Sequence, residues 1–281
     1  MYSQTSWNRE TYKILGEELY MKKILAVAVL VIFAISVLAG CGSVAEKSGG
    51  SKEQTKKYTI ACDAKYAPFS MEVNGQYKGI DVQLLDAIAK AEGFQYELKP
   101  MDFSGIIPGL VSGQLDGAIA GINITEERKQ TVDFSDGYIQ SGLAVVVSNG
   151  NTDISKVEDL SGKMAAVKKG TAGAKFAEDN KDKYNLNISY YDDSPSMMLA
   201  VANGNADFLM EDYPVINYQI KIGEQDKLKI AVDSVIAPPS YGFAVKKGDN
   251  AELLKMFNEG LKKIKADGSY DKIVGEYIVK Q

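Results

Sequence analysis

Residues 106–128 read IIPGLVSGQLDGAIAGINITEER: a short helical pattern, a stop, a strand and the approach to another helix. Residues 106–111 carry the helical pattern, and Gly113 stops it, because glycine freely takes the left-handed conformation that closes a helix. Residues 117–120 then form a short apolar strand. Thr125 suits a helix N-cap, with Glu126 and Glu127 placed against the positive end of the helix. The same alternation runs outward in both directions. Strand patterns fall at residues 58–63, 95–98, 143–147, 164–167, 187–191, 208–210, 228–232 and 241–245. Between them, Val82, Leu84, Leu85, Ile88 and Ala89 recur at helical spacing before Gly93, and further helices are predicted near 172–180, 197–202, 214–221, 251–266 and 270–278. Strands alternating with helices predict an α/β architecture whose sheets are covered on both faces.

A faint repeat lies inside this pattern. SGQLD at residues 112–116 has a counterpart in NGNAD at residues 203–207, and each leaves a helix and enters a strand. The first strand finishes in Ala120-Gly121, the second in Glu211-Asp212. Ligands of open α/β sheets bind beyond the carboxyl ends of strands, so two such ends are expected to face one another across a cleft.

Composition removes whole classes of chemistry. The 281 residues include no histidine and only two cysteines, Cys41 and Cys62. Without an imidazole there is no Ser-His-Asp or Cys-His unit, and two cysteines make no structural zinc site. A net charge of −5 and a pI near 5.1 argue against nucleic acid as a partner. Ser161-Gly162-Lys163 lacks the flanking residues of a nucleotide-binding loop, so any energy source lies in another chain.

The N-terminus reads as targeting. Lys22 and Lys23 precede an apolar run over residues 24–39 that ends in Leu38-Ala39-Gly40-Cys41. That is the layout of a secretory signal, assigned here to residues 21–40, and the run falls short of the roughly 20 residues that span a bilayer. Met21 reads as the true start, with residues 1–20 a mis-assigned upstream extension. The cysteine after Leu-Ala-Gly resembles the bacterial lipoprotein signal, which implies that Cys41 is lipidated and begins the mature chain. GSVAEKSGGSKEQTKK follows at residues 42–57, too polar to bury a core, and makes residues 41–57 a flexible tether. Cys62 is then without a partner and reads as a small buried hydrophobe.

Arg128 carries the sharpest chemical signal. Arg9 and Arg128 are the only arginines, so lysine supplies the rest of the 32 basic residues. The planar guanidinium binds a carboxylate through two parallel hydrogen bonds, which an ammonium cannot do. Residue type alone equally allows a surface ion pair.

YELKPMDFSGIIP at residues 96–108, AGINITEERKQTVDFSDGY at 120–138 and GIDVQLLDAIAK at 79–90 resemble the family 3 extracellular solute-binding proteins, the amino-acid receptors of ABC importers. KPMDFSGIIP and DFSDGY are most similar to the glutamine-binding branch. The likeness covers residues 57–281, with Gln83 standing where an acid is usual. It implies a type II periplasmic-binding fold of two lobes, each a mixed sheet flanked by helices. Lobe 1 is expected over residues 58–137 and 241–281 and lobe 2 over 143–235. Two crossing hinges are expected at 138–142 and 236–240, the second carrying Pro238 and Pro239.

Matched position by position, the resemblance implies that Asp63 and Lys168 hold a side-chain amide and that Tyr66 and Phe103 form aromatic walls. It implies an α-carboxylate site at Gly121, Asn123 and Arg128, next to Ala120, with Asn123 where a hydroxyl residue is common. Thr171 and Ala172 match the loop of the second lobe, and Asp212 matches the acceptor of the α-ammonium. Glu211 replaces a histidine. No catalytic residue, cofactor or metal is implied. The partners would be an amino acid and separately encoded permease and ATPase subunits, with the receptor a monomer anchored by lipid on the outer face of the cytoplasmic membrane.

The residue chemistry agrees with a zwitterionic ligand, which needs a cation for its carboxylate and an anion for its ammonium. With Arg128 and Asp212 on opposite lobes, only a ligand is expected to bridge them. Without the resemblance, Tyr66 and Phe103 read equally as core, and Lys168 as a solvated lysine like Lys169. Glutamine is favoured over glutamate, because a ligand carboxylate beside Asp63 costs about 4 kcal/mol at 4 Å and an effective dielectric of 20. Asp63 with Glu211 leaves arginine or lysine open as an alternative. A dehydratase on the same scaffold, with Glu211 as the acid, and a sensory receptor are the rival functions.

Overall fold

The computed structural model describes residues 56–233 and 240–278. The signal, Cys41, nearly all of the tether, Pro238 and Pro239 lie outside the described residues. Along the chain come β1 (Lys57–Asp63), β2 (Lys65–Tyr66), β3 (Ser70–Val73), β4 (Gln76–Lys78), α1 (Ile80–Glu92), β5 (Gln95–Met101), α2 (Ile106–Val111) and β6 (Gly117–Ala118). Then follow β7 (Val132–Phe134), β8 (Ile139–Gln140), β9 (Leu143–Ser148), β10 (Met164–Lys168), α3 (Ala172–Asp179), α4 (Lys181–Tyr184) and β11 (Asn187–Tyr191). The remainder is α5 (Ser194–Ala202), β12 (Phe208–Asp212), α6 (Tyr213–Lys221), β13 (Leu228–Val232), β14 (Ser240–Tyr241), β15 (Ala244–Lys246), α7 (Ala251–Ala266) and α8 (Ser269–Gly275).

Two five-stranded mixed sheets carry this order, β5-β1-β6-β15-β7 and β11-β10-β12-β9-β13. Their plans are the same. Three parallel strands lie together, the fourth runs antiparallel to them, and the fifth, antiparallel to the fourth, completes the edge. Each sheet takes its fourth strand from beyond a chain crossing: β9 follows β7 and β8 directly, and β15 returns after β13. The crossing segments meet as the antiparallel pair β8–β14, where Ser240 faces Gln140 and Tyr241 faces Ile139.

The repeat seen in the sequence has a structural cause. Gly113 and Gly204 close α2 and α5 at φ 77° and 76°. The aspartate three residues later then locks the next strand into its sheet. Asp116 N–H donates to Thr59 O at 2.9 Å while its carboxylate accepts from Thr59 N–H at 2.9 Å. Asp207 repeats the arrangement on Met164, at 2.9 Å and 2.7 Å. A glycine to turn the chain and a carboxylate to take the first free N–H of the neighbouring strand are what both places require.

Two expectations change, and residues 65–78, for which the sequence predicts no element, form the small sheet β2-β3-β4. The strand expected over 241–245 is broken between β14 and β15, because Gly242 N–H pairs with Ile122 O at 3.0 Å instead of continuing a ladder. The helix expected after Thr125 is only a 3₁₀ turn at Arg128–Gln130, since β7 begins at Val132 and leaves no room for more. Thr125 Oγ1 still accepts the Arg128 N–H at 3.2 Å. Cys62 is fully buried, and burial pushes its thiol up to about 12, so it is an inert core residue.

Candidate functional site

The parallel strands of both sheets end at one cleft. Tyr66, Phe103, Gly121, Asn123 and Arg128 line it from the first sheet's side; Lys168, Thr171, Ala172, Glu211 and Asp212 line it from the second. Leu143, Gly173 and Met210 complete the lining and were not singled out in the sequence. Leu143 lies opposite Asp212 in the β9–β12 ladder, a placement that only the pairing register reveals. Gly173 sits so close to β12 that a Cβ would come within 2.8 Å of Met210 O. Among the described residues no cluster of His, Cys, Asp or Glu is arranged to hold a metal ion.

Asp212 is the most heavily hydrogen-bonded group in the cleft. Tyr66 Oη and Tyr241 Oη donate to its Oδ2 at 2.7 and 2.6 Å, and Asn123 Nδ2 approaches at 3.3 Å. Oδ1 is met only by Asn123 Nδ2 at 3.5 Å and keeps its capacity to accept. Asn123 Oδ1 is buried without a hydrogen-bond partner among the described residues. Tyr241, which ends β14 at a chain crossing, was missed in the sequence because nothing local marks it.

Arg128 is half-buried and makes no ion pair within salt-bridge distance among the described residues. Its Nη1 donates to Asn123 O at 2.8 Å and its Nη2 to Gly170 O at 3.0 Å, and the guanidinium carbon lies 5.5 Å from the Phe103 ring centre. Its other N–H donors are uncommitted among these contacts. Lys168 is 2% exposed and pairs with Asp63, whereas the Lys169 side chain is 48% exposed and pairs with Asp192 at the surface. Strand alternation at the end of β10 turns one lysine in and the other out. Lys168 Nζ also lies 4.6 Å from the Tyr66 ring centre, so a cation rests on an aromatic face. Thr171 caps α3: its Oγ1 accepts the Ala174 N–H at 3.2 Å and donates to Lys168 O at 2.7 Å.

Three of the expected site residues have their side chains or N–H groups committed elsewhere. The Ala120 side chain is fully buried, in the core cluster that also holds Ala118 and Phe103. Asp63 stands behind Lys168 rather than at the cleft wall, with Oδ1 also accepting the Lys65 N–H at 3.0 Å. Gly121 reaches the cleft, but its N–H donates to Asp81 Oδ2 at 2.8 Å and is not offered to an anion. Its lack of a side chain serves packing instead, since a Cβ would meet Tyr66 Cε1 at 2.5 Å and φ is +56°. The two sides of the cleft also touch directly, through Tyr66–Asp212, Asn123–Asp212, Lys168–Asp63 and Arg128–Gly170, while Arg128 and Asp212 make no hydrogen bond or ion pair with each other among the described residues. Polar groups this deeply buried find partners in one another.

This arrangement, an arginine and an aspartate converging between twin mixed sheets, accompanies a family match over residues 58–280. The chain belongs to the bacterial extracellular solute-binding proteins of family 3. It is 32% identical over 264 residues to a probable histidine-binding protein of Neisseria gonorrhoeae, covering 93% of this chain and 97% of the relative. It is likewise 32% identical over 276 residues to the glutamine-binding protein GlnH of Bacillus subtilis, covering 92% and 98%. An ancestral arginine-binding protein bound to arginine superposes with a TM-score of 0.74 at 38% identity, covering 79% of this chain and 98% of that one. Members of this family are amino-acid-binding proteins of ABC transport systems, and the fold is the two-lobed type II arrangement expected from the sequence.

In this family 3 protein the buried carboxyls set the pH dependence of stability. Burial pushes Asp81 up to about 7, against the hydrogen bonds from Tyr138 and Gly121. Burial also pushes Glu211 up to about 7, and it raises Asp212. Such a group holds its proton in the native state at a pH where the unfolded chain has released it. Stability therefore falls as pH rises from about 4 towards 7 and levels off above that. Asp193 acts oppositely: despite partial burial, Lys65 and Ser196 hold it at about 2, so its contribution is lost below about pH 4. The thermal midpoint of the ligand-free protein is expected to be higher at pH 5 than at pH 8, with Asp81→Asn reducing the difference. A midpoint that climbs from pH 5 to pH 8 would contradict this account.

Proposed function

We propose that this protein is the lipid-anchored receptor of an ABC amino-acid importer and that L-glutamine is its favoured ligand. The observation that carries the reading is the pairing of Arg128, with N–H donors to spare, and Asp212, with one oxygen still open, in a single buried cleft. An α-amino acid presents the complementary pair of charges at a fixed separation. Tyr66 and Phe103 would cover its methylene groups, and Lys168 and the Asp63 behind it would meet the end of its side chain. A cationic amino acid is the second reading, favoured by the additional carboxyl of Glu211.

The direct contacts across the cleft bear on how a ligand would act. Lobe 1 is taken as residues 58–137 and 241–281, lobe 2 as 143–235, and the crossings at 138–142 and 236–240 as hinges. A ligand that touches both lobes replaces or supplements those contacts and so favours closure by its differential affinity for the closed state. Titration calorimetry of the mature protein with all twenty amino acids tests the assignment. Glutamine is expected to bind most tightly near pH 6, unchanged on recovery; turnover of a cyclic amino-acid precursor would favour the dehydratase instead. Palmitate labelling lost in Cys41→Ala supports the anchor, and unchanged labelling refutes it.

A further inference from the structure

Glutamine leaves one group in the cleft unexplained. Glu211 is 5% exposed, and its Oε1 accepts the Asp212 N–H at 2.9 Å, but its Oε2 is buried with no partner among the described residues. The groups facing it come from each neighbouring element. Asp212 follows it on β12, and Lys168 comes from β10, already paired with Asp63 of β1. Tyr66 of β2 and Arg128 lie across the cleft, β9 contributes apolar Leu143, and α3 contributes Ala172 and Gly173. From α5 comes the Ser194 hydroxyl, buried and close enough to favour the ionised Glu211 carboxyl, though no hydrogen bond of ordinary length joins them.

Counting charge among these groups isolates Glu211. Asp63 balances Lys168, and Asp212 balances Arg128. A zwitterion's own two charges leave that balance untouched. With its proton on, Glu211 makes a neutral site; with its proton off, it leaves one buried negative charge without a counterion. Such a charge is costly unless paired, so each class of ligand favours the protonation state that balances it.

We propose that Glu211 selects the charge of the ligand side chain: protonated, its O–H donates to a neutral polar side chain such as that of glutamine, and ionised, it pairs with a cationic side chain such as that of arginine. The inference rests on the cleft being an amino-acid site, as argued above. Burial beside Asp212, only partly offset by Lys168, places the carboxyl at about 7, so both forms are within reach near neutral pH. The two ligand readings are then one site in two protonation states.

Calorimetry of the mature protein with L-glutamine and L-arginine between pH 5.5 and 8.5 tests this. Glutamine affinity is expected to fall by up to about tenfold per pH unit above 7, and arginine affinity by a similar factor per unit below it. Glu211→Gln is expected to abolish both slopes and to favour glutamine throughout. Proton uptake, read from buffers of differing ionisation enthalpy, keeps the test independent of that variant. At pH 8 glutamine should bind with uptake of nearly one proton and arginine with almost none. Equal uptake, or a preference that does not move with pH, overturns the proposal while leaving the receptor intact. Failure of both amino acids to bind at every pH overturns the switch, and failure of all twenty removes the receptor reading with it.

Discussion

Arg128→Lys is expected to weaken every amino-acid ligand by a similar factor, on the order of 100-fold, without reordering them. The arginine already spends two N–H groups on Asn123 O and Gly170 O, at 2.8 and 3.0 Å. Those bonds fix the plane of the guanidinium at the cleft, with N–H donors left uncommitted. Lysine brings a single ammonium on a flexible stem. It cannot satisfy two carbonyls and both oxygens of a carboxylate at once, and it loses the stacking on Phe103. Truncating a buried, hydrogen-bonded charge pair costs about 2–5 kcal/mol, which is the source of the expected factor. The contact is with the α-carboxylate that all amino acids share, so glutamine, arginine and histidine should lose alike in calorimetry. A variant that binds within threefold of the parent, or that changes the order of preference, shows that the carboxylate is held elsewhere.

Asp212→Asn should separate binding from stability. Affinity for any α-amino acid is expected to drop by on the order of 100-fold, because the substituted amide offers the ammonium no charge. Stability should not drop with it. Burial raises the Asp212 carboxyl, which means that the ionised form is held in the fold at a cost. Asparagine removes that cost, and its carbonyl oxygen can still accept from Tyr66 and Tyr241. The thermal midpoint at pH 8 is therefore expected to hold or rise while ligand binding collapses. Unchanged affinity would show that the ammonium is not bound at Asp212. A collapse in the midpoint would show that the tyrosine cluster depends on the charge.

Both predictions turn on contacts that sequence reading reached unevenly. The end of β12 was legible because the Gly-x-x-Asp repeat pointed to it, and Arg128 stood out because it is so rare among lysines. Thr171 and Ala172 could be placed at a helix start by local pattern. Tyr241 could not, since its partner Asp212 lies 29 residues away and joins it only through the chain crossing. Lys168 and Lys169 are adjacent and chemically identical, and only the pleat of β10 makes one a buried counterion and the other a surface charge. Gly121 was singled out for the right flexibility and the wrong bond, because the acceptor of its N–H, Asp81, sits 40 residues earlier on α1.

What the amino-acid sequence determined by itself is whatever depends on near neighbours: the alternation of strands and helices, the glycines that end α2 and α5, and the family likeness carried by its motifs. Hydrophobic period, capping and turn preference act within a few residues, so they can be read along the chain. Tertiary structure alone decided which polar groups meet. It brought Asp63 to Lys168 across 105 positions and Tyr66 to Asp212 across 146, and among the described residues it left Glu211 Oε2 without a hydrogen bond of ordinary length. Charge and hydrogen-bond energies depend on distance and on exclusion of water, and neither is set until the sheets have closed around the cleft.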